Sequence, residues 1–265
     1  MKKWIAGLLV LALMFTLALT AAAESKLDAI KTAGKLVVGT SPDYAPYEFP
    51  GPDGEPVGAD MELAKYIAAY LGVELVIDSY DFDGVLAAIT TGKVDIALAG
   101  FDPTPERAES MDFSDIYYNE SNQQLVVHKD NADTFKILAD LNGKKVAAQN
   151  GSLQATMVED YLQDAQLELI AKVPDGVMML LSKQVDAMAL ADVIAAQYVA
   201  NYDDLVICPE AFPFTSEGIA VALPKDQPEL LAEVNAAIKE VLEQNLFYLW
   251  MEQAVELNSE MNKEH

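Results

Sequence analysis

Short apolar runs alternate with amphipathic helical patterns from residue 35 onwards, and this alternation limits the possible folds more than any other feature. In residues 59–71, for example, Leu63, Ile67 and Leu71 follow one another at four-residue intervals and share one helical face. The order strand, helix, strand, helix, strand is typical of an α/β fold with a parallel sheet. The predicted strands of this first stretch are 35–39, 73–77 and 94–99, and the predicted helices are 59–71 and 83–91.

The same order of elements returns about a hundred residues later in the chain. The run GKKVAA (143–148) matches GKLVVG (34–39), and SKQVDAMALA (182–191) matches TGKVDIALAG (91–100). The second match aligns Val94-Asp95 with Val185-Asp186. Because the two matches occur in the same order, they predict two similarly built α/β lobes.

Two further extended segments, 123–127 and 217–223, would cross between these lobes and form a two-strand hinge. A helical pattern then runs from Pro228 to about residue 252, and helices within 227–257 would pack back on the sheets. We therefore predict an α/β protein with two similar lobes. Its predicted divisions are a leader (1–23), the first part of lobe 1 (24–120), lobe 2 (121–217), and a return crossing with C-terminal helices that completes lobe 1 (218–265).

The N-terminal residues have the features of a secretory signal peptide. Lys2 and Lys3 precede an apolar stretch at 5–19, and the alanines at 21–23 offer a cleavage site before Glu24. A membrane anchor is the alternative, but a charged sequence follows at once and no basic stop-transfer cluster is present. No later segment has the roughly 20 apolar residues that a spanning helix needs. We therefore expect a cleaved leader and an exported mature protein of about 240 residues.

Cysteine content and charge restrict the location and the partners of the protein. Cys208 is the only cysteine, so we expect no disulfide, no lipid attachment and a small buried side chain at this position. A freely diffusing periplasmic protein is the prediction, with secretion into the medium as the second choice. The formal charge of −25 becomes −27 without the leader. Such a protein is repelled by nucleic acid and by anionic lipid, which we therefore exclude as partners.

The run Thr104-Pro105-Glu106-Arg107 combines a helix start with an unexpected cation. Thr104 suits a helix cap, Pro105 the first helical position, and Glu106 the positive end of the helix dipole. An arginine in the first turn opposes that dipole, at a cost of about 0.3–1 kcal/mol. Ligands of α/β sheets bind at the C-terminal ends of parallel strands, and a guanidinium group there can hold a carboxylate through two hydrogen bonds. The pattern favours a ligand-binding role for Arg107.

Five runs follow one another in a specific order: GTSPDYAPYEF (39–49), VGADMELAKYIAAYLG (57–72), YDFDGVLAAITTGKVDIALAG (80–100), TPERAESMDFSDIYY (104–118) and VDAMALAD (185–192). Together they resemble the polar amino acid-binding branch of the periplasmic substrate-binding proteins, the type II "Venus flytrap" proteins that serve ABC importers. The resemblance implies two lobes that close on a small amino acid and deliver it to the transmembrane permease of an ABC transporter. We expect a monomer with no cofactor and no metal ion.

The resemblance also implies which residues bind the α-carboxylate of the ligand. Arg107 matches the arginine that grips this group, and Gly100 matches a residue whose backbone lines the same site. Ser152, with the backbone of Gly151 and Leu153, matches a turn of the second lobe that reaches the carboxylate from a helix N-terminus. From the sequence alone, Ser152 would be interpreted as a helix cap.

Other positions match the residues that surround the rest of the ligand. Asp192 matches the acid that accepts the α-ammonium group, although it could also cap a helix over 193–200. Tyr44 and Phe82 match aromatic walls around the side chain, whereas without the resemblance both would be interpreted as core residues. Ring faces attract cations, so such walls suit a planar or cationic side chain. Ser41 matches a first-lobe position that often contacts the far end of the ligand.

Three positions depart from the family pattern and leave the ligand open. Asp102 stands where threonine or serine is usual, and a carboxylate there would repel the ligand carboxylate, so we expect it to help hold the ammonium group. Ser41 replaces an acid of some cationic amino acid binders, and Gln149 replaces a lysine of some glutamine binders. A polar amino acid is therefore expected, with no single member favoured.

Two other function classes remain as alternatives. Cyclohexadienyl and arogenate dehydratases share the fold but need a proton-transfer group in the cleft. The two histidines are the C-terminal His265 and His128, which we expect in a solvated loop, and no Ser-His-Asp, Cys-His or zinc-spaced cluster can be assembled. A carboxylate such as Asp102 could still act as a base. The second alternative is a sensory module that reports its ligand to a separate receptor.

Overall fold

The computed structural model describes residues 25–119 and 122–263, so the predicted leader, residues 1–23, lies outside the described residues. A first five-stranded sheet contains β1 (Lys35–Thr40), β4 (Glu74–Ser79), β5 (Ile96–Phe101), β6 (Met111–Phe113) and β12 (Ala220–Pro224). Its strand order is β4-β1-β5-β12-β6. The first three strands are parallel, and β12 is antiparallel to both of its neighbours.

The second sheet repeats this topology with strands from the middle of the chain. It contains β7 (Gln123–His128), β8 (Lys145–Gln149), β9 (Gln166–Ile170), β10 (Ala187–Ala191) and β11 (Leu205–Ile207). The order is β9-β8-β10-β7-β11, with the first three strands parallel and β7 antiparallel to both neighbours. The repeat predicted from sequence is thus present, and the chain has the two-lobed α/β fold that the resemblance implied.

Helices cover these sheets. The helices of the first half are α1 (Lys26–Ala33), α2 (Ala59–Leu71) and α3 (Phe82–Thr90), and those of the second sheet are α4 (Leu153–Tyr161), α5 (Val173–Leu181) and α6 (Asp192–Asn201). Two C-terminal helices, α7 (Pro228–Glu243) and α8 (Leu246–Lys263), pack on α2. A short hairpin pairs β2 (Phe49–Pro50) with β3 (Pro56–Val57). Three 3-10 turns cover Arg107–Glu109, Lys129–Asn131 and Leu138–Leu141.

The repeated Val-Asp pairs have the same structural role in both lobes. Asp95 accepts a hydrogen bond from the Val37 N–H through Oδ2 (2.7 Å) and donates its own N–H to Val37 O (2.8 Å). Asp186 makes the same two bonds with Lys145, at 3.0 and 2.8 Å. Each aspartate therefore joins the start of its strand to the neighbouring parallel strand, which explains why the two runs look alike.

Two segments connect the sheets and pair with each other. Tyr118 and Ile219 form an antiparallel bridge, in which the Ile219 N–H donates to Tyr118 O (2.8 Å) and the Tyr117 N–H donates to Ile219 O (3.0 Å). Gly218 lies beside this bridge with φ 111°. A Cβ atom added to Gly218 would lie 2.4 Å from Ile116 Cγ2, so a residue with a side chain does not fit and glycine is required there.

Four local predictions were wrong. The C-terminal helical pattern is broken at Asn245, which has a left-handed φ of 56° and separates α7 from α8. Thr104 accepts the Arg107 N–H (3.3 Å), but only a 3-10 turn follows. Helix α6 begins at Asp192, so its cap is Ala191 rather than Asp192. His128 ends β7 and is buried rather than solvated, and its Nδ1 accepts the Asp130 N–H at the start of the next turn.

Cys208 is buried as predicted, and its thiol donates weakly to Phe135 O (3.6 Å). Within residues 25–119 and 122–263, none of the helices combines the length and the apolar character of a membrane span.

Candidate ligand-binding site

A cavity lies between the two lobes, at the carboxyl ends of β1, β5 and β8. Ligands of open α/β sheets bind at this edge. The cavity is lined from both sides, and the space between its lining side chains is about 380 Å³, part of which is open to solvent. Its lining residues from the first lobe are Asp43, Tyr44, Glu48, Phe82, Ala99, Gly100, Asp102 and Arg107, and those from the second are Gln149, Ser152, Leu153 and Gln154.

Arg107 is anchored from both lobes. Its Nη1 donates to Asp102 O (3.1 Å) and its Nη2 donates to Gly151 O (3.3 Å) in the second lobe. The guanidinium carbon lies 5.5 Å from the ring centre of Phe82 and 5.7 Å from that of Phe101. Burial lowers the pKa of Arg107, whereas the nearby Asp102 raises it. The group therefore stays a cation that is already oriented and partly desolvated, which suits the binding of a carboxylate.

Asp102 follows β5 and is only 6% exposed. Its Oδ1 accepts a hydrogen bond from the Ser216 hydroxyl group. Burial raises the pKa of Asp102, while the bond from Ser216 and the charge of Arg107 lower it. Ser216 was not predicted, because nothing in the sequence indicates that a residue 114 positions away meets the cavity wall.

Gly100 allows Tyr44 to approach the backbone closely. Its φ of 56° lies in the left-handed region, and an added Cβ would lie 3.3 Å from Tyr44 Cε1. The Gly100 N–H donates to Asp60 Oδ2 (3.2 Å), and the Tyr117 hydroxyl group donates to Asp60 Oδ1 (2.8 Å). Asp60 is completely buried, and this burial raises its pKa to about 6 in spite of those two bonds and a third from Glu48.

The second-lobe turn supplies a helix N-terminus to the cavity. Ser152 caps α4 by accepting the Ala155 N–H (3.1 Å), so the interpretation as a helix cap is confirmed. Leu153 is the first residue of that helix. Gln149 ends β8 and donates through Nε2 to Asp43 Oδ2 (2.8 Å) and to Ala171 O (3.2 Å).

Asp43 connects the two lobes across the cavity. In addition to the bond from Gln149, its Oδ2 accepts the Val173 N–H (2.8 Å), and its Oδ1 accepts the Ser41 hydroxyl group (2.9 Å). Burial raises the pKa of Asp43, and the hydrogen bonds from the Val173 N–H and the Ser41 hydroxyl group lower it. Ser41 itself does not line the cavity but positions Asp43, which does.

Eight of the ten predicted site residues line this cavity, whereas Ser41 and Asp192 do not. Asp192 is half-buried at the start of α6, and its N–H donates to Asn122 O (3.0 Å) beside the first connection between the lobes. The structure adds four lining residues that sequence reasoning missed: Asp43, Glu48, Ala99 and Gln154. Asp43 and Glu48 lie within the run 39–49 that carried the resemblance, so the run itself was a signal for them.

The cavity is acidic. Among the described residues that line it, Asp43, Glu48 and Asp102 carry carboxyl groups, and Arg107 is the one basic residue. All three acids are less than one-tenth exposed. Such a cavity favours a ligand that brings one carboxylate and more than one positive charge.

Comparisons with known proteins agree with this geometry. Residues 36–248 match the family described as bacterial extracellular solute-binding proteins, family 3. The arginine-binding extracellular protein ArtP of Bacillus subtilis is 37% identical over 245 residues, which cover 91% of this chain and 93% of ArtP.

Two solved structures are informative. An amino acid ABC transporter substrate-binding protein of Streptococcus pneumoniae, bound to L-arginine, has a TM-score of 0.83 and 37% identity over 88% of this chain and 98% of its own. An ancestral amino acid-binding protein described as a precursor of cyclohexadienyl dehydratase has a TM-score of 0.79 and 34% identity, over 87% of this chain and 100% of its own.

Proposed function

The chain belongs to family 3 of the bacterial extracellular solute-binding proteins, and we propose that it binds a cationic amino acid, with L-arginine as the first candidate. Its general function follows from the family: it captures a polar amino acid outside the cytoplasm for an ABC transporter. The identity of the ligand and the roles of the individual site residues belong to the proposal.

The acidic lining of the cavity carries this proposal. Arg107 would bind the α-carboxylate, together with the helix N-terminus at Ser152 and Leu153. Asp102 would accept the α-ammonium group, whereas Asp192 does not line the cavity and is given no ligand contact. Asp43 and Glu48 remain in the cavity and would balance a positive charge at the far end of the ligand.

The aromatic residues of the cavity support the same ligand class. Tyr44 lines the cavity beside Gly100, and Phe82 lies under the Arg107 guanidinium group. Their ring faces would attract a cationic or planar ligand side chain. Ser41 stands where some binders of cationic amino acids have an acid, which argued against L-arginine as the ligand. Asp43, two residues further along, supplies a carboxylate to the cavity.

A comparison of L-arginine with L-citrulline tests the proposal. The two molecules have nearly the same shape, but citrulline lacks the side-chain charge. The protein would be freed of co-purified ligand by unfolding and refolding, and binding would be measured by thermal shift and calorimetry. We expect L-arginine to bind at least about a hundredfold more tightly, since a charged partner of a buried carboxylate contributes several kcal/mol. Equal or tighter binding of citrulline or glutamine would contradict the proposal.

The finer expectations about location and assembly are part of the same proposal. These are cleavage of the leader after Ala23, periplasmic location, a monomeric state, and delivery to a transmembrane permease. Sequencing the N-terminus of the exported protein and measuring its mass in solution test the first three. Loss of arginine uptake in a gene deletion, with normal signalling, would separate import from a sensory role.

A catalytic role is not proposed. The ancestral neighbour that links this fold to cyclohexadienyl dehydratase is itself described as an amino acid-binding protein. Turnover of prephenate or arogenate by the purified protein would contradict this assignment.

A further inference from the structure

Ser216 connects the wall of the ligand cavity to the segment that returns the chain from the second sheet to the first. This return segment comprises residues 208–219, between β11 and β12. The Ser216 hydroxyl group donates to Asp102 Oδ1, and Asp102 lines the cavity. A single side chain of the return segment therefore holds a carboxyl group of the site.

Ser216 is also joined, through Gly218 and Ile219, to the first connection between the lobes. Ser216 Oγ accepts the Gly218 N–H (2.9 Å). Gly218 is enclosed by the first connection between the lobes, because an added Cβ would lie 2.6 Å from Tyr118 O. Ile219 then pairs with Tyr118. A short series of direct contacts therefore joins Asp102 to the point at which the two connections pair.

The bond from Ser216 also favours the charged form of Asp102. Burial raises the pKa of Asp102, and the Ser216 hydroxyl group and the Arg107 charge counteract this rise. An ionised Asp102 can accept a hydrogen bond from a ligand ammonium group, whereas a protonated carboxyl group accepts one less readily.

We propose that Ser216 is a positioning residue for ligand binding, which orients the Asp102 carboxylate toward the ammonium group of the ligand and ties it to the paired connections between the lobes. The inference rests on the proposed function, since it requires an amino acid in the cavity. Movement of Asp102 on ligand binding is thereby coupled to the hinge.

Substitution of Ser216 tests this role through affinity and its pH dependence. L-Arginine binding would be measured by calorimetry between pH 4.5 and pH 8 for S216A, for S216T, which keeps the hydroxyl group, and for T215A. Thr215 is the exposed neighbour of Ser216 in the same segment and serves as the matched control. We expect S216A to bind about tenfold more weakly at pH 7, as for the loss of one hydrogen bond to a charged group.

The pH profile distinguishes positioning from general damage. Without the hydroxyl group the pKa of Asp102 rises further, so affinity should begin to fall at a higher pH in S216A than in the wild type. S216T should restore the wild-type profile, and T215A should not change it. In a D102N background, S216A should have little additional effect, because its target is gone.

Wild-type affinity and pH profile in S216A would overturn the inference, and so would fully additive effects of S216A and D102N. If S216A does not fold, S216G, which also lacks the hydroxyl group, takes its place in the same comparison with S216T and T215A. Failure of the wild type to bind L-arginine would overturn the proposed function instead. The ratio between S216A and wild type, measured with the amino acid found by thermal shift, would still test Ser216.

Discussion

At the scale of single residues, the guanidinium group of Arg107 is held by main-chain oxygens of both lobes, Asp102 O and Gly151 O. The group lies over the rings of Phe82 and Phe101 and is half-buried. A ligand carboxylate can therefore meet a cation that needs little reorientation. This preorganisation reduces the entropic cost of binding.

Replacing Arg107 should remove most of the affinity. We expect R107A to lose at least about 3 kcal/mol, roughly a hundredfold or more, because a desolvated carboxylate would be left without its partner. R107K keeps the charge but not the planar fork, so an intermediate loss is expected. Calorimetry with L-arginine measures both, and an R107A protein that folds and binds normally would show that Arg107 is not the carboxylate anchor.

Asp60 gives the stability of the protein a pH dependence of unusual sign. Burial raises its pKa from an ordinary value of 3.8 to about 6. Between these values the native state binds more protons than the unfolded chain, so this group lowers the free energy of unfolding as the pH rises. A shift of this size corresponds to roughly 3 kcal/mol. Ionised Asp60 is thus tolerated at neutral pH at a cost to stability.

The variant D60N should remove that contribution. Asparagine stays neutral, so the difference in unfolding free energy between D60N and the wild type should move in favour of D60N from pH 4 to pH 6. Chemical denaturation at several pH values measures it. D133N is the control, since Asp133 is fully exposed and lies outside the buried surroundings of Asp60. A D60N difference that does not vary with pH would mean that Asp60 does not titrate in this range.

At the scale of elements, the two strand-start aspartates form a natural matched pair. Asp95 and Asp186 each bond the neighbouring strand through a side-chain oxygen and a backbone N–H. Asp95 also pairs with Lys26 Nζ of α1 at 2.7 Å. Its carboxylate therefore fastens a helix as well as a strand, whereas that of Asp186 fastens only a strand.

Alanine at these two positions should destabilise the lobes unequally. We expect a cost of about 1–3 kcal/mol for D95A, because a half-buried N–H loses its charged acceptor, and a smaller cost for D186A, whose bond is longer and more exposed. Denaturant unfolding checks the order. An equal or larger effect of D186A would show that the Lys26 pair adds nothing to the first lobe.

Local patterns predicted most of the elements but not the points at which tertiary contacts decide. Helix α2 has the predicted bounds, and β1 and β7 differ by one residue. The strand predicted at 217–223 begins only at Ala220, because Ser216 and Gly218 contact Asp102 and the first connection. The break at Asn245 was missed since helical periodicity continues on both sides of it.

The sequence motifs predicted the site residues that lie within them. They did not predict contacts that form only when the two lobes meet. Eight of the ten predicted residues line the cavity. The role of Asp43 depends on groups of the second lobe, Gln149 and Val173, which meet it more than a hundred residues away in sequence. No local signal marks such a contact, because only the closed arrangement of the lobes brings these groups together.

At the scale of the whole molecule, a few direct bonds hold the lobes in the closed arrangement. Asp43 Oδ2 accepts from Gln149 and Val173, and Arg107 donates to Gly151 O. Asn150 Nδ2 donates to Asp83 Oδ2 (2.9 Å) at a more exposed point. A ligand that contacts both lobes adds to these bonds and shifts the population further toward the closed form.

Removing the Asp43 carboxylate should therefore open the ligand-free protein. Each hydrogen bond to a charged group is worth about 1.5–3 kcal/mol, so D43A should move the open–closed equilibrium at least about tenfold toward the open form. Small-angle X-ray scattering without ligand should give a larger radius of gyration for D43A than for the wild type. N150A is the control, because its bond is exposed and contributes little.

The same variant separates closure from recognition of ligand charge. If Asp43 acted only as a connection between the lobes, D43A would lower the affinities for L-arginine and for L-citrulline by the same factor, since both ligands need the same closure. Because its carboxylate also lines the acidic cavity, we expect a larger loss for arginine than for citrulline. An unchanged ratio together with a larger ligand-free radius would restrict Asp43 to closure, and Glu48 would then be the acid that recognises the charge.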